Sequence, residues 1–285
     1  MAMFKKLFFV FLLLLFAFVS CKKEEQESNH HPKLAPGQLK VMTFNIRGTT
    51  TEDNAVNNWG MRAGSCRDMI IDQQPSIVGF QELVSTQWKY MSRTLASHGY
   101  VGVIDAEIFN SILYRPDVLE MISEGGFWLS DTPDKPSTSW DGYPRDVHWA
   151  VMKILATGQE FFYVNTHLGL TAASRKSAMT LISKRLKALN TDNLPVVMMA
   201  DFNTLGTDAV FDNIREEMDL TREVAPITDD VKTYNAWGNE VKAYCCDHIW
   251  VSKSVKSLEY MTVTQWYSGH KYVSDHYPVY SIIEF

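Results

Sequence analysis

The sequence predicts an α/β sandwich with both parallel and antiparallel strand connections. Three observations carry that expectation. Short β-branched and aromatic runs, mostly bounded by Gly, Pro, Asn or Asp, recur along the chain as strands do. Stretches of helical period lie between some of them. One pair of runs is joined by a tight turn and others by helical crossovers, a mixture that argues against an all-parallel sheet.

Taken in order, the first strand is "LKVMTFN" (39–45), followed by a helical period over about 60–74. "SIVGFQE" (76–82) is the second strand, a helix over about 86–97 follows, and "NSILYR" (110–115) is the third strand. Residues 127–149, "FWLSDTPDKPSTSWDGYPRDVHW", are the least regular stretch, with Trp128, Trp140, Tyr143 and Trp149 among three prolines. An ordered aromatic loop of this length is expected to be a lid or rim over a site. "HWAVMKILA" (148–156) and "EFFYVNTH" (160–167) form a hairpin through "TGQ", with Gly158 at the turn. The helix over 172–190 places Ala178, Leu181, Ile182 and Leu186 on one face and the solvated Lys176, Lys184 and Lys187 on the other. "PVVMMADFN" (195–203), "DHIWVS" (247–252) and "YPVYSIIEF" (277–285) complete the strands. No fixed-period repeat or internal boundary appears, so residues 39–285 are expected to be one domain. A monomer is expected, for want of a coiled coil or repeat.

Composition bounds the function. The 285 residues are 46% hydrophobic and 21% charged, which is ordinary for a globular chain. A net charge of −6 lacks the basic excess of a protein that grips nucleic acid over a broad surface. It leaves room for a site that handles one phosphate with the help of a metal ion.

The N-terminus reads as an export signal. Residues 1–20 hold two lysines, an unbroken apolar run shorter than the ~20 residues of a spanning helix, and a small residue at the end. Ser20-Cys21 resembles a bacterial lipobox, with Phe18 where Leu is usual. Cys21 is therefore expected to be lipidated, which would hold an exported protein to the membrane of the bacterial cell envelope. Residues 21–38 are charged, carry two prolines and read as a flexible tether. His30 and His31 within it lack the spacing of a closed ligand set. Cys66, Cys245 and Cys246 remain, and are expected to be mostly free and buried; a bridge from Cys66 to one of the other two is the alternative.

Many of the strands end in an acid, an amide or an imidazole. The first ends at Asn45, the second at Glu82, the hairpin at Asn165-Thr166-His167, and "VVMMADFN" at Asp201 and Asn203. Asp247-His248 opens a late strand, and "SDH" (274–276) precedes the last. Any one such pair is ordinary turn chemistry. Drawn together from almost the whole chain, they suit metal-assisted attack of water on phosphate: acids hold a hard cation through oxygen and the cation polarises phosphoryl oxygens.

"MTFNIR", "GFQE", "NTHLG", "ADFN", "DHIWVS" and "SDHYPV", in this order over residues 42–279, resemble the endonuclease/exonuclease/phosphatase superfamily. The resemblance implies the DNase I-like four-layered α/β sandwich, two mixed β-sheets packed face to face with helices outside. It implies a divalent-metal-dependent phosphoesterase using Mg²⁺ or Mn²⁺, with a small molecule, lipid head group or nucleic acid as the phosphoester substrate. Glu82 matches the principal metal ligand, with Asn45 and Asp275 close to the ion. Asp201 and Asn203 match the pair that orients the attacking water and holds the phosphate. His167 matches the position nearest the scissile phosphate, and Asp247 with His276 an Asp–His couple. Ala200 stands where the family usually has Gly. Arg145 is a candidate phosphate clamp through its fork, or else a partner in a surface salt bridge. Asn110 is a candidate substrate-binding residue supporting His167, or else a strand cap. His148 and His248 are read as structural. An extracellular nuclease and a catalytically silent binding lipoprotein are the competing readings. The chain has no G-x-S-x-G elbow, so a serine hydrolase finds little support.

Overall fold

A computed structural model of the chain describes residues 33–50, 53–103 and 110–285. The signal segment 1–20, Cys21, His30, His31 and most of the tether lie outside the described residues.

The elements run β1 (Gln38–Asn45), α1 (Trp59–Gln73), β2 (Ile77–Gln81), α2 (Ser85–Ala96), β3 (Val101–Val103), β4 (Ser111–Tyr114), β5 (Leu119–Trp128), β6 (Asp146–Ile154) and β7 (Glu160–His167). They continue with α3 (Ala172–Leu189), β8 (Val196–Asp201), β9 (Met218–Leu220), α4 (Thr221–Val224), β10 (Asp247–Ser252), β11 (Lys256–Thr262) and β12 (Val279–Glu284). The strands form two six-stranded mixed sheets, ordered β11-β12-β1-β2-β4-β3 and β5-β6-β7-β8-β10-β9. Each sheet has one parallel pair at its centre, β1 with β2 and β7 with β8, and every other pairing is antiparallel. A helix joins each parallel pair, α1 in the first sheet and α3 in the second, as parallel connections require.

The inner faces pack on one another through Leu39, Val41, Ile77 and Ile112 of the first sheet and Phe161, Tyr163, Val197 and Met199 of the second. The outer face of the first sheet is covered by α1 and α2 through Cys66, Met69, Ile70, Met91 and Leu95. The outer face of the second is covered by α3 through Ala178, Met179, Ile182 and Leu186. The result is the four-layered DNase I-like α/β sandwich. The helix ends are closed locally. Asn58 caps α1 by accepting from Met61 N, and Thr171 caps α3 by accepting from Ser174 N. Gln74, left-handed at φ 48°, turns the chain out of α1.

Four strands escaped the sequence reading: β3, β5, β9 and β11. They are the four sheet edges. The stretch 127–149, read as one loop, is strand at both ends, and only 129–145 connects β5 to β6. Trp149 lies over Gly125 of β5, where a Cβ would come within 2.7 Å of its ring. Gly125 is therefore the floor under an aromatic ring. The strand expected to reach residue 203 stops at Asp201, and α3 is as expected with Leu181 only half-buried. Cys66, Cys245 and Cys246 are free; Cys246 and Cys66 are buried, Cys245 partly so.

Lys40 is the one Lys of β1 and is 5% exposed. Its Nζ donates to Gln73 Oε1 at 2.8 Å and lies 3.8 Å above the Tyr280 ring centre. Burial lowers its pKa from 10.5 to about 8, against the opposing pull of Glu259 and Asp72. Below pH 8 both folded and unfolded chains carry the charge, and burying it costs about 3 kcal/mol at ~1.4 kcal/mol per pH unit. Above 10.5 neither does, so this cost vanishes as pH rises between the two values. Relative to Lys40→Met, the wild-type protein should gain stability by about 3 kcal/mol over that interval in denaturant titrations. A difference independent of pH would sink the assignment of Lys40 as a buried cation.

Candidate active site

Ladder register assembles the first half of the site. In the second sheet His167 of β7 pairs with Asp201 of β8, and Asp247 of β10 pairs with the same Asp201 from the other side. Three chemistry-bearing residues thus stand in one row across adjacent strands. In the first sheet Asn45 ends β1, and Glu82 follows the last residue of β2. The parallel pairs of both sheets therefore deliver their C-terminal ends to a common edge, the usual location of ligand sites in such sheets.

Asn45 joins the halves. Its Nδ2 donates to Glu82 Oε1 at 3.1 Å and to Asp201 Oδ2 at 2.9 Å, and its Oδ1 accepts from Arg47 N at 3.0 Å. Asp201 Oδ2 also lies 3.2 Å from His167 Nε2 and 3.7 Å from His276 Nε2. Asp201 Oδ1 accepts from Asn203 N at 2.9 Å. Asn203 Nδ2 donates to Leu168 O at 2.9 Å and is 3.0 Å from His167 Nε2. His276 Nδ1 stands 2.9 Å from Asp247 Oδ2. Asp275 lies 3.6 Å from the Arg47 guanidinium and accepts from Ser274 Oγ at 3.2 Å.

The backbone is strained around this cluster. Arg47, Glu82 and Asn203 have φ values of 60°, 62° and 53°, in the left-handed region that non-glycine residues rarely adopt. At each, the chain turns sharply at a strand end and aims a side chain along the sheet edge. Glu82 is held there by Gly48 N, which donates to its Oε2 at 3.0 Å.

The charges are tuned against one another. Burial pushes the Asp201 carboxyl up, but His167, His276 and the Asn45 amide outweigh it and hold the group well below the ordinary carboxylate range. Glu82 is likewise lowered: burial is overcome by His167, the Gly48 N–H and Asn45. Asp275 goes the other way, raised by burial and by Glu82 despite His276 and Arg47. Burial lowers the His276 imidazole, yet Asp247 and Asp201 bring it up to about 10. Half-buried Glu82 and buried Asp275 bring carboxylate oxygens to the edge, beside the Arg47 guanidinium and the raised His276 imidazole, while Asn45 turns its Nδ2 to Glu82 and Asp201 and its Oδ1 to Arg47 N. That set fits a hard divalent cation such as Mg²⁺ or Mn²⁺.

The remaining candidates are placed as follows. Asn110 does not bond His167; its Nδ2 donates to Asp146 O at 3.1 Å and Asp146 Oδ1 at 2.6 Å. Arg145 lies at the end of the 129–145 loop, its guanidinium 5.9 Å from the Tyr143 ring. That loop is tied to the turn after His167: Asp141 Oδ2 accepts from Leu170 N at 2.5 Å and from Ser174 Oγ at 3.2 Å. His148 bonds Glu124 and Asn110 O, and His248 bonds Thr204 O, both inside the fold. Residues missed in the sequence also border the site. Arg47 was inside the quoted "MTFNIR". The Tyr234 ring lies 4.9 Å from that of His276, and Tyr244 Oη is 3.5 Å from Asn203 Oδ1. Neither tyrosine lies in a periodic segment, so no pattern announced it.

Beneath the edge, Asn165 crosses between the sheets. It accepts from Gln81 Nε2 at 2.7 Å and donates to Phe80 O at 2.9 Å and Ser111 O at 3.1 Å.

An oxygen-lined edge with paired acids and imidazoles on a four-layered sandwich defines a phosphoester-handling hydrolase. The comparisons agree. Residues 42–276 match the Endonuclease/Exonuclease/phosphatase family, and the chain belongs to it. The fold is similar to an endonuclease/exonuclease/phosphatase family protein from Bacteroides thetaiotaomicron, 28% identical over 88% of this chain and 99% of that one, with a TM-score of 0.79. It is equally similar to the mannosyl-6-phosphatase of Bacteroides thetaiotaomicron VPI-5482, 29% identical over 87% of this chain and 100% of that one, TM-score 0.79. An uncharacterized protein of Acanthamoeba polyphaga mimivirus is 26% identical over 86% of this chain and 100% of its own length.

Replacing Asn165 by Leu keeps the volume but removes three buried hydrogen bonds, from Gln81 Nε2 and to Phe80 O and Ser111 O. A loss of about 2–4 kcal/mol is expected in denaturant unfolding, at ~1 kcal/mol per bond. A loss under about 0.5 kcal/mol would show that the clasp does not hold the sheets.

Proposed function

We propose that the protein is a divalent-metal-dependent phosphoesterase that hydrolyses a small phosphoester, a sugar phosphomonoester foremost, by metal-assisted attack of water. The observation that carries this reading is Asp201: one buried carboxylate within bonding reach of Asn45, His167 and Asn203 and beside His276. The choice of a sugar phosphate is supported by the 29% identical mannosyl-6-phosphatase and by the acidic balance of the chain, which disfavours a polyanion.

Glu82, Asn45 and Asp275 would hold Mg²⁺ or Mn²⁺, and the chemistry supplied there is polarisation of the phosphoryl oxygens. Asp201, ionised at neutral pH, accepts a proton of the attacking water and with Asn203 sets its direction. His276 keeps its Nδ1 proton on Asp247 and turns Nε2 toward Asp201, so its positive charge faces the phosphate. His167, beside Asp201 and Asn203, presents the second imidazole to the phosphoryl group. Arg145 and Tyr143, on the loop tied to the turn after His167, border the substrate side. The same reading has the protein outside the cytoplasm, tethered through lipidated Cys21, on the strength of the N-terminal residues, and a monomer for want of a coiled coil or repeat.

Turnover of p-nitrophenyl phosphate, bis-p-nitrophenyl phosphate, mannose 6-phosphate, DNA, RNA and sphingomyelin tests the reading. Mg²⁺- or Mn²⁺-dependent hydrolysis, abolished by EDTA and restored by the ion, is expected on the monoesters. Asp201→Asn should lower kcat roughly 10²–10⁴-fold, the range of acid–base help, with its circular dichroism unchanged. Preference for DNA or RNA would make the protein a nuclease. Turnover that EDTA leaves intact would refute the metal-dependent reading.

A further inference from the structure

Behind the His276 imidazole, on its Nδ1 side, lies a thiol that hydrolysis does not use. Cys246 is buried, and its Sγ is 3.4 Å from Asp247 Oδ2 and 3.9 Å from His276 Nδ1. Those two atoms are 2.9 Å apart. Ligands held at ~2.0–2.3 Å from a tetrahedral ion stand roughly 3.3–3.7 Å from one another. The triangle therefore has about the dimensions of one face of a zinc site. Asp201 supplies a fourth donor, and the ligand atoms of all four residues lie within 4.8 Å of one another. Asp247 adds an independent sign: it is 1% exposed, and its second oxygen, Oδ1, which is not part of that triangle, has no hydrogen-bond partner among the described residues. A bare buried carboxyl oxygen is costly unless something coordinates the group.

We propose that Asp201, Cys246, Asp247 and His276 form an inhibitory site for a soft or borderline divalent cation, Zn²⁺ or Cd²⁺, distinct from the carboxylate-based site at Asn45, Glu82 and Asp275. The two sites share no ligand. Sulfur and imidazole select against Mg²⁺, which prefers octahedral oxygen. Burial and the neighbouring acids keep Cys246 a thiol when no ion is bound. Coordination removes the thiol proton and the His276 Nδ1 proton to solvent, and the Cys246 Sγ and His276 Nδ1 lone pairs take the ion. The His276–Asp247 hydrogen bond is thereby replaced, and Asp201 is withdrawn from the attacking water. Cys245 is not part of this site; its Sγ lies 2.5 Å from an Arg222 guanidinium nitrogen.

Only the inhibition, not the binding, rests on the phosphoesterase reading, so the probe is read without turnover first. Co²⁺ is titrated into the full chain in excess Mg²⁺. One equivalent should give a thiolate-to-Co²⁺ charge-transfer band that Zn²⁺ displaces. The band should vanish in Cys246→Ser and persist in Cys245→Ser and Cys66→Ser. Zn²⁺ should suppress Mg²⁺-supported turnover, with Cys246→Ser needing at least about 10-fold more ion relative to its own Zn-free rate, since losing even an outer partner of a metal costs that much. Absence of the band in the wild type overturns the proposal, as does its survival in folded Cys246→Ser. A band without turnover on any substrate supports the ion site and removes the phosphoesterase reading instead.

Discussion

Everything at the functional edge depends on two sheets meeting in one register, and Asn165 is where that register is enforced. Apolar contact between sheet faces is non-directional and tolerates sliding. Hydrogen bonds do not. Asn165 of the second sheet bonds Gln81, Phe80 O and Ser111 O of the first, and all four residues are fully buried. Gly79 allows the approach: a Cβ there would fall 2.6 Å from Tyr163 Oη and 2.7 Å from Asn165. The missing side chain in β2 is what lets the amide reach the opposite backbone. Two residues beyond Asn165 along β7 stands His167, and the residue after Gln81 is Glu82. The clasp and the site are thus one or two residues apart on both sheets, so an error of register would be felt at the chemistry.

A second constraint holds the loops that leave the strands. Arg62 of α1 is fully buried and bonds no carboxylate among the described residues; its guanidinium donates to the carbonyls of Ile46, Arg47 and Val273, and its Nε to Asn57 O. Those carbonyls flank Asn45 on one side and Ser274-Asp275 on the other. The cation makes four hydrogen bonds to backbone carbonyls, donors that a carboxylate partner would have claimed in part. In this way a helix on the outer face fixes the spacing of two segments that meet at the edge. The left-handed Arg47 is one of them, and its strain is offset by the bonds it receives.

The sequence made the central strands legible and hid the edges, for one physical reason. β1, β2, β7, β8 and β10 are buried on both faces, so their runs are long, apolar and unmistakable. β3 and β9 have three residues each, β5 is largely exposed between Leu119 and Phe127, and β11 is only partly buried. Sheet edges are kept short or polar against unwanted pairing, which erases the pattern a reader relies on. Site residues followed the same division. Asn45, Glu82, His167, Asp201 and Asp247 stood at the ends of legible strands. Tyr234, Tyr244 and Arg62 act through loop geometry or a helix interior, where type and spacing carry no signal. Asn110, read as a support for His167 or a strand cap, bonds Asp146 at the start of β6, a distant partner that no local pattern reveals.

The electrostatic balance makes this edge suited to a cation. Glu82, Asp201, Asp247 and Asp275 bring four carboxyls to a region almost closed to water. Against them stand His276, raised to about 10, the His167 imidazole, and Arg47, already shared with Asp53 at 3.3 Å. Asp275, pushed upward by burial and by Glu82, records the shortage of positive charge on the first-sheet side. On the second-sheet side the shortage is met by His276, whose proton Asp247 holds. Under the proposed reading the two sides would suit different ions. Where the free donors are oxygen, a hard cation completes the set. Where the imidazole already balances the acids, only an ion able to displace its proton can enter, and the adjacent thiol of Cys246 favours an ion of that kind.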